Sequence, residues 1–292
     1  MELTDTHTHT VYSGHGEGLP DELVEAALAK NLTTLAITEH LPLPIEMDAD
    51  GSFSMQGPQT AQYRQEVAQA ASANPQIEVI CGVEVDWYAG CEGHVLKQLG
   101  LTGSTSGTPA LAGASPHYQL VLGSVHMLSG EVPGDAFAYW PLDYADTVDG
   151  WYERGPLYVW EHYVAHWLDA VSSKLPFDIM AHPDLPKKLG VFPDFDASRY
   201  WPEMAEAAAE RGLMIEVNTS GLYYACEQVF PGPELLAEFC RAGVPCTISS
   251  DAHEPANVNR SHDQAVKALL EAGYTYLTVP TADGDRRQVK LL

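Results

Sequence analysis

The segment TTLAITEH, Thr33 to His40, sets the pattern for the whole chain: β-branched and apolar residues run up to Glu39 and an imidazole. Such a run fits a buried strand. Six similar runs flank it, at Leu3 to Thr6, Ile77 to Val85, Gln119 to Val125, Phe177 to Met180, Leu213 to Asn218 and Cys246 to Ser250. Between them lie segments with helical spacing. Pro20 to Lys30 opens on Pro and acids before its apolar positions, as a helix N-terminus does. Thr60 to Ser72, Pro156 to Leu175, Arg199 to Arg211, Pro233 to Ala242 and Asp263 to Ala272 follow the same logic. Alternation of this kind predicts an α/β fold, and seven strand-helix units fit a barrel better than an open sheet.

The 292 residues are 45% hydrophobic, enough for a large core, and α/β barrels of about 250 residues commonly form one domain. We therefore expect a single domain over residues 1–292. Leu41 to Gly57 and Leu101 to Ser115 break the rhythm and read as surface loops; the first follows the second strand and is placed to close over a ligand. No run of about 18 apolar residues occurs, and MELTDTHTHT lacks a basic and then apolar leader, so a soluble, unexported chain without membrane partners is expected. Fifteen Lys plus Arg against 40 Asp plus Glu give a net charge of −25, which repels nucleic acid. The only tight basic clusters are Lys187-Lys188 and Arg286-Arg287. Five scattered cysteines without a CxxC pair support neither a disulfide framework nor a zinc ribbon and fit a reducing cytoplasm.

Metal-ligand residue types gather at the strand ends. Asp5, His7 and His9 alternate along the first strand and share a face. His15 follows that strand, His40 closes TLAITEH, Glu84 sits in VICGVEVDW, His126 ends QLVLGSVH, His182 ends FDIMAHPD, and Asp251 and His253 end CTISSDAH. Leaving such groups buried and unpaired costs about 1–3 kcal/mol each, so a common ligand is expected at the edge where barrel enzymes place their chemistry. Nine ligands exceed one four-coordinate ion and suit two or three. Imidazole with carboxylate and no thiolate suits zinc, iron or manganese, and a carboxylate set among imidazoles, as Glu84 is, can bridge two ions.

Other candidates read as structural. His162 and His166 share a helix face in VWEHYVAHWL, where an amphipathic helix explains them; His94, His117 and His262 read as surface residues. Asp86, Asp5 and Asp184 could orient a ligating imidazole, and Asp86 could also meet a cationic substrate group. Neither a GxxxxGK[ST] loop nor a GxGxxG turn occurs.

In order, HTH (His7, His9), His15, TEH (His40), GVEVD (Glu84), GSVH (His126), AHPD (His182) and SSDAH (Asp251, His253) resemble the polymerase and histidinol phosphatase (PHP) family nearly end to end. TEHLPLP, GSVHML, FDIMAHPDLPKKLG, EVNTSGL and FPGPELL are similar to its monofunctional histidinol-phosphatases. The resemblance implies a distorted seven-stranded, TIM-like βα barrel with a trinuclear site at the strand ends. It also implies hydrolysis of L-histidinol phosphate in histidine biosynthesis by a metal-activated hydroxide. His7, His9, Glu84 and Asp251 would hold one ion, Glu84 bridging to a second held by His126 and His182; His15, His40 and His253 would hold the third. Asp251 is a candidate proton shuttle to the leaving group. Where related enzymes tend to carry arginines for phosphate, this chain has Lys187-Lys188 and Tyr223-Tyr224, which leaves Lys188, Lys187 and Arg260 as candidate phosphate contacts. Another small phosphate ester, or a non-catalytic metal-stabilised barrel, are the alternatives.

Overall fold

The computed structural model describes residues 2–101, 115–129 and 139–291. Seven parallel strands form its main sheet: β1 (Thr4–Asp5), β2 (Thr34–His40), β3 (Glu78–Asp86), β4 (Leu120–Ser124), then, after the small strands β5 (Met127–Ser129) and β6 (Tyr139–Pro141), β7 (Ile179–Met180), β8 (Met214–Asn218) and β9 (Cys246–Ser249). The order β1-β2-β3-β4-β7-β8-β9 curls back on itself. Backbone bonds from Thr6 N to Ile248 O (3.2 Å), Asp251 N to His7 O (2.9 Å) and His9 N to Ala252 O (2.7 Å) join first strand to last. The result is a nearly closed barrel.

Helices α1 (Pro20–Ala29), α2 (Thr60–Ala73), α3 (Glu92–Gln98), α4 (Val148–Arg154), α5 (Pro156–Ser172), α6 (Trp201–Arg211), α7 (Pro233–Arg241) and α8 (His262–Ala272) lie between the strands in sequence. Pro20 opens α1, and the Leu19 N–H that would be orphaned there donates to Glu22 Oε2 at 2.7 Å. On α2, the Tyr63 hydroxyl reaches the Ile37 and Gly82 carbonyls (2.7 and 2.8 Å), fastening the helix across β2 and β3. On α5, Val159, Trp160, Tyr163, Val164, Trp167, Ala170 and Val171 make the buried stripe that helical period demands. Among the described residues no helix is long and apolar enough to cross a membrane.

Strand period explains how one sequence builds both core and site. Register sets Ala36 beside Ile80, Thr38 beside Gly82, His40 beside Glu84, and then Gly82 beside Leu120, Glu84 beside Leu122 and Asp86 beside Ser124. Ala36, Ile80, Leu120, Leu122, Ile179, Ala181 and Met214 pack together inside the barrel. The alternating set, including Leu35, Ile37, Val83, Val85, Ile215 and Val217, packs in the outer core. Continuing the inner positions toward the C-terminal ends turns His40, Glu84, Asp86, Glu216 and Asn218 inward. The interior is narrow: a Cβ on Gly82 would stand 2.9 Å from both Leu120 O and Thr38 Cγ2.

A feature not expected from the sequence closes the opposite mouth. Strands β10 (Tyr276–Pro280) and β11 (Arg286–Lys290) form an antiparallel hairpin. Ala282, between them, packs on the inner core, donates to Glu78 Oε1 (2.9 Å) and accepts from Gln119 Nε2 (2.6 Å). Arg287, from the second basic cluster, binds Glu78 Oε2 (2.8 Å) and Thr34 Oγ1 (2.7 Å). The strands expected from the sequence end at Ser250; RRQVK is polar, and its pairing is legible only with a partner strand. The short α3, α4 and the β5–β6 pair were likewise not expected, being too brief for periodicity to show. Of the two expected loops, Leu41 to Gly57 is a loop that ends in a short 3₁₀ turn. Leu101 to Ser115 lies, apart from its two end residues, outside the described residues.

Candidate metal centre

The period of the strands carries the candidate ligands to one end of the barrel. His7 and His9 follow β1, His40 ends β2, Glu84 lies in β3, and His126 follows β4; His182 follows β7, and Asp251 and His253 follow β9. His7, His9, His40, Glu84 and His182 are buried, whereas His15, on the loop after β1, is exposed.

Glu84 divides its carboxylate between two groups of imidazoles. Its Oε2 lies 3.1 Å from His7 Nε2, 3.4 Å from His9 Nε2 and 3.3 Å from His40 Nδ1. Its Oε1 lies 3.1 Å from His182 Nε2 and 3.6 Å from His126 Nε2. Asp251 Oδ1 joins the first group, 3.4 Å from His9 Nε2 and 3.7 Å from His7 Nε2. Donor atoms close enough to share an ion occur in His7/His9/Asp251, Glu84/His126/His182, His40/Asp86/His126 and His9/His40/His253. His15 Nε2 lies 3.0 Å from His253 Nε2.

Tautomers tell what this convergence is for. His7 Nδ1 lies 3.1 Å from Glu216 Oε2, His15 Nδ1 3.1 Å from Ser52 O and His253 Nδ1 3.0 Å from Asp251 O, while His126 Nδ1 pairs with Asp86 Oδ1. Each outer nitrogen thus meets an acceptor and carries the proton, so each Nε2 turns a lone pair inward. Two lone pairs 3.0 Å apart, as on His15 and His253, repel unless a cation lies between them. Tetrahedral zinc with bonds of about 2.0–2.1 Å holds its nitrogens about 3.3 Å apart, close to this spacing. The donor set fits divalent ions.

Electrostatics carries the same demand. Burial opposes charge within the cluster, yet around His7 opposite charges prevail: Glu216, Glu84 and Asp251 hold it well above its ordinary range. Against burial, bonds to Asp251 and Glu84 push His9 up to about 9, and Asp86 with Glu84 pushes His126 up to about 10. Glu84 and Asp251, which burial would raise, sit well below the usual carboxylate range beside His7. His15 moves the other way, down to about 4: the residue is exposed, but its ring is desolvated against its neighbours, and the His40 and His9 imidazoles disfavour a further positive charge. Acids held this low require positive charge beside them, which protons or metal ions can supply.

Residues behind the ligands divide more sharply than the sequence suggested. Asp86 does orient an imidazole, that of His126. Asp5 does not; it clamps Ser250 N and Asn259 N (2.9 and 2.7 Å). Asp184 holds Lys187 Nζ and Gly232 N (2.6 and 2.7 Å). The sequence reading missed Glu216, which is fully buried and binds His7 Nδ1, the His182 backbone N–H (3.0 Å) and Asn218 Nδ2 (2.9 Å). Its signal was a carboxylate on the inward phase of an apolar strand. Glu216→Gln is expected to weaken metal binding by about 10–100-fold, since the amide cannot hold His7 as an anion does; metal titration monitored by calorimetry checks this, and unchanged affinity would remove Glu216 from the site.

A cavity of about 1180 Å³ opens onto the cluster and is lined also by Lys188, Arg260, Asp143, Tyr223, Tyr224, Phe53 and Trp140. Lys188 binds Asp143 Oδ2 at 2.7 Å and lies over the Tyr224 ring; burial would lower its pKa, but Asp143 and Tyr224 hold it above the ordinary value. Arg260 stacks on Tyr223 at 4.1 Å. Lys187, expected alongside them, is turned away: its ammonium is buried on Asp184 Oδ2 and Val229 O (2.8 Å) and does not line the cavity. His162 binds the Tyr158 carbonyl and His166 meets Ser129, as helix residues. His94, half-buried, contacts Pro42 O at 2.7 Å, and His117 is exposed. His262, expected at the surface, is buried at the start of α8, because that turn packs inward.

A profile of the PHP domain matches residues 5–220. A protein of Deinococcus radiodurans named probable histidinol-phosphatase is 31% identical over 273 residues, covering 93% of this chain and 94% of its own length. One of the same name from Clostridium acetobutylicum is 25% identical, covering 90% and 91%. Among solved structures, the histidinol phosphate phosphatase of Lactococcus lactis, in complex with zinc, L-histidinol and phosphate, superposes with a TM-score of 0.72 at 21% identity, covering 99% of both chains. With its strand-end histidines and acids in order and three quarters of its length matched, the chain belongs to the PHP domain family.

Proposed function

We propose that this chain is a histidinol-phosphatase that hydrolyses L-histidinol phosphate to L-histidinol and phosphate, a step of histidine biosynthesis, with three divalent ions of zinc, iron or manganese. The observation that carries the reading is Glu84, whose two oxygens each face a separate set of imidazoles at the floor of a cavity that also holds Lys188 and Arg260. The name of the relative at 31% identity supports the substrate. In this reading His7, His9, Glu84 and Asp251 hold one ion, Glu84, His126 and His182 a second, and His15, His40 and His253 the third. Bound divalent ions supply Lewis acidity, acidifying water and neutralising charge on phosphate oxygens.

The chain's own residues do the rest. Lys188 Nζ and the Arg260 guanidinium bind phosphate oxygens from the cavity wall, Lys188 as a point charge that Asp143 keeps in place. Asp251 is ionised; its Oδ2, held by Asn218 Nδ2 and Ser220 Oγ (3.2 and 3.3 Å), takes the proton released by attacking water and returns it to the leaving alkoxide. The residues 1–292 act as one domain, and five free cysteines suit a reducing cytoplasm.

Phosphate release from L-histidinol phosphate and a panel of small phosphomonoesters, with protein loaded with manganese, iron or zinc beside a chelated control, tests the reading. Strong preference for L-histidinol phosphate is expected. Faster turnover of another ester would favour the second reading, a different small phosphate, which the replacement of a two-pronged arginine by Lys188 recommends. No turnover at full metal loading would point to a non-catalytic barrel.

A further inference from the structure

We propose that the turn from Asp48 to Ser54 controls occupancy of the ion assigned to His15, His40 and His253, with Asp48 as its positioning residue; the proposal rests on the ligand assignment given above. Asp48 is buried and accepts four hydrogen bonds from its own turn: Oδ1 from Ser52 N (2.9 Å) and Phe53 N (3.2 Å), Oδ2 from Ser54 N (2.9 Å) and Ser54 Oγ (2.7 Å); Ser54 Oγ in turn accepts from Leu43 N (3.1 Å). This winding aims the Ser52 carbonyl at His15 Nδ1 (3.1 Å) and fixes the tautomer that leaves Nε2 free for a ligand role. One residue beyond the turn, Met55 N donates to the His40 carbonyl (3.1 Å). Two of the three assigned ligands are therefore tied to one loop.

A second, independent contact fixes the distance between that loop and His15. Gly14, at φ 85°, lies so close to the turn that a Cβ there would stand 2.1 Å from Gly51 O. His15 itself is exposed, and the set His15, His40 and His253 contains no carboxylate, so this ion lacks the anionic ligands of the other two and depends most on pre-orientation of its imidazoles. The same turn carries Phe53, which lines the cavity and rests edge-on against Tyr144 at 5.0 Å. Ion and cavity wall are then linked: what orders the turn favours the ion, and the ion orders the turn by the same factor.

Equilibrium dialysis against zinc, with zinc per chain read by elemental analysis, tests this on the wild type, Asp48→Ala, Gly14→Ala and His15→Ala. The third zinc is expected to bind about 10–100-fold more weakly in Asp48→Ala and Gly14→Ala, with the first two unchanged. In the wild type, hydrogen exchange of the Ser52, Phe53 and Ser54 amides is expected to slow between two and three equivalents of zinc. Loss of the third zinc in His15→Ala but in neither of the other variants would overturn the role of the turn alone. Retention in His15→Ala would overturn the ligand assignment and the proposal with it. Should the variants fail to fold, amides exchanging equally fast at two and three equivalents would by themselves overturn it.

Discussion

Glu84→Gln is expected to lower kcat/KM on the phosphate ester by about 10²–10⁴-fold, because breaking a buried charge cluster costs about 3–5 kcal/mol and each 1.36 kcal/mol is tenfold in rate. The substitution keeps the shape of the side chain and removes its charge. His7, His9 and His40 on one side and His126 and His182 on the other then lose the anion they share. Metal content should fall with activity, since both ion positions use this carboxylate in the proposed assignment. Steady-state kinetics on protein whose metal content is measured in the same sample checks it. A Glu84→Gln variant with full metal content and wild-type turnover would show that the carboxylate bridges nothing of consequence.

Metal removal should abolish turnover and reverse the way stability responds to pH. In the metal-free protein, His9 and His126 titrate near 9 and 10, above the unfolded value of about 6.5. A group raised in this way adds stability that is complete below about pH 6.5 and is lost as pH climbs through its folded value. Glu84 and Asp251 are depressed, so their contribution is present above the ordinary carboxylate range and disappears in acid. His15, depressed to about 4, adds stability that is complete only above about pH 6.5 and is lost toward acid, so the metal-free protein should be most stable near pH 6.5 and weaken toward pH 10. With metal bound the imidazoles are neutral ligands, protons compete with the ions, and metal is lost below about pH 6. Free metal at 1,000 times its Kd adds about 4 kcal/mol, so the gap in Tm between loaded and metal-free protein should widen from pH 6 to pH 9. Thermal denaturation at several pH values with zinc and with chelator measures it. A metal-free protein that gains stability from pH 6.5 to 9 would contradict the account of paired imidazoles and carboxylates.

Much of this was legible in the chain itself, for reasons of period. Alternation along TTLAITEH and its counterparts exposes strand and face together, and a helix written PDELVEAALAK announces its own start. The polar residues at the strand ends stand out because an apolar strand has no local partner for them. A barrel was expected, but the bonds that close it and the plugging hairpin were invisible, since they depend on residues distant in the chain: Thr6 on Ile248 and Ala282 on Glu78. The same holds within the site. Sequence identified His7, Glu84 and Asp251 as ligand types; only the folded chain could show which oxygen of Glu84 faces which imidazole. It alone separated Lys188 in the cavity from Lys187 locked on Asp184, though the two are adjacent in sequence, because a short 3₁₀ turn sends their side chains to different surroundings. Glu216 and Asp48 complete the contrast: a carboxylate's identity is written locally, but its partners are set by where the backbone brings the donors. The sequence by itself determined the periodic pattern and the kinds of donor atom, which are local properties. Tertiary structure decided their pairing, orientation and charge state, because those depend on distances between residues far apart in the chain.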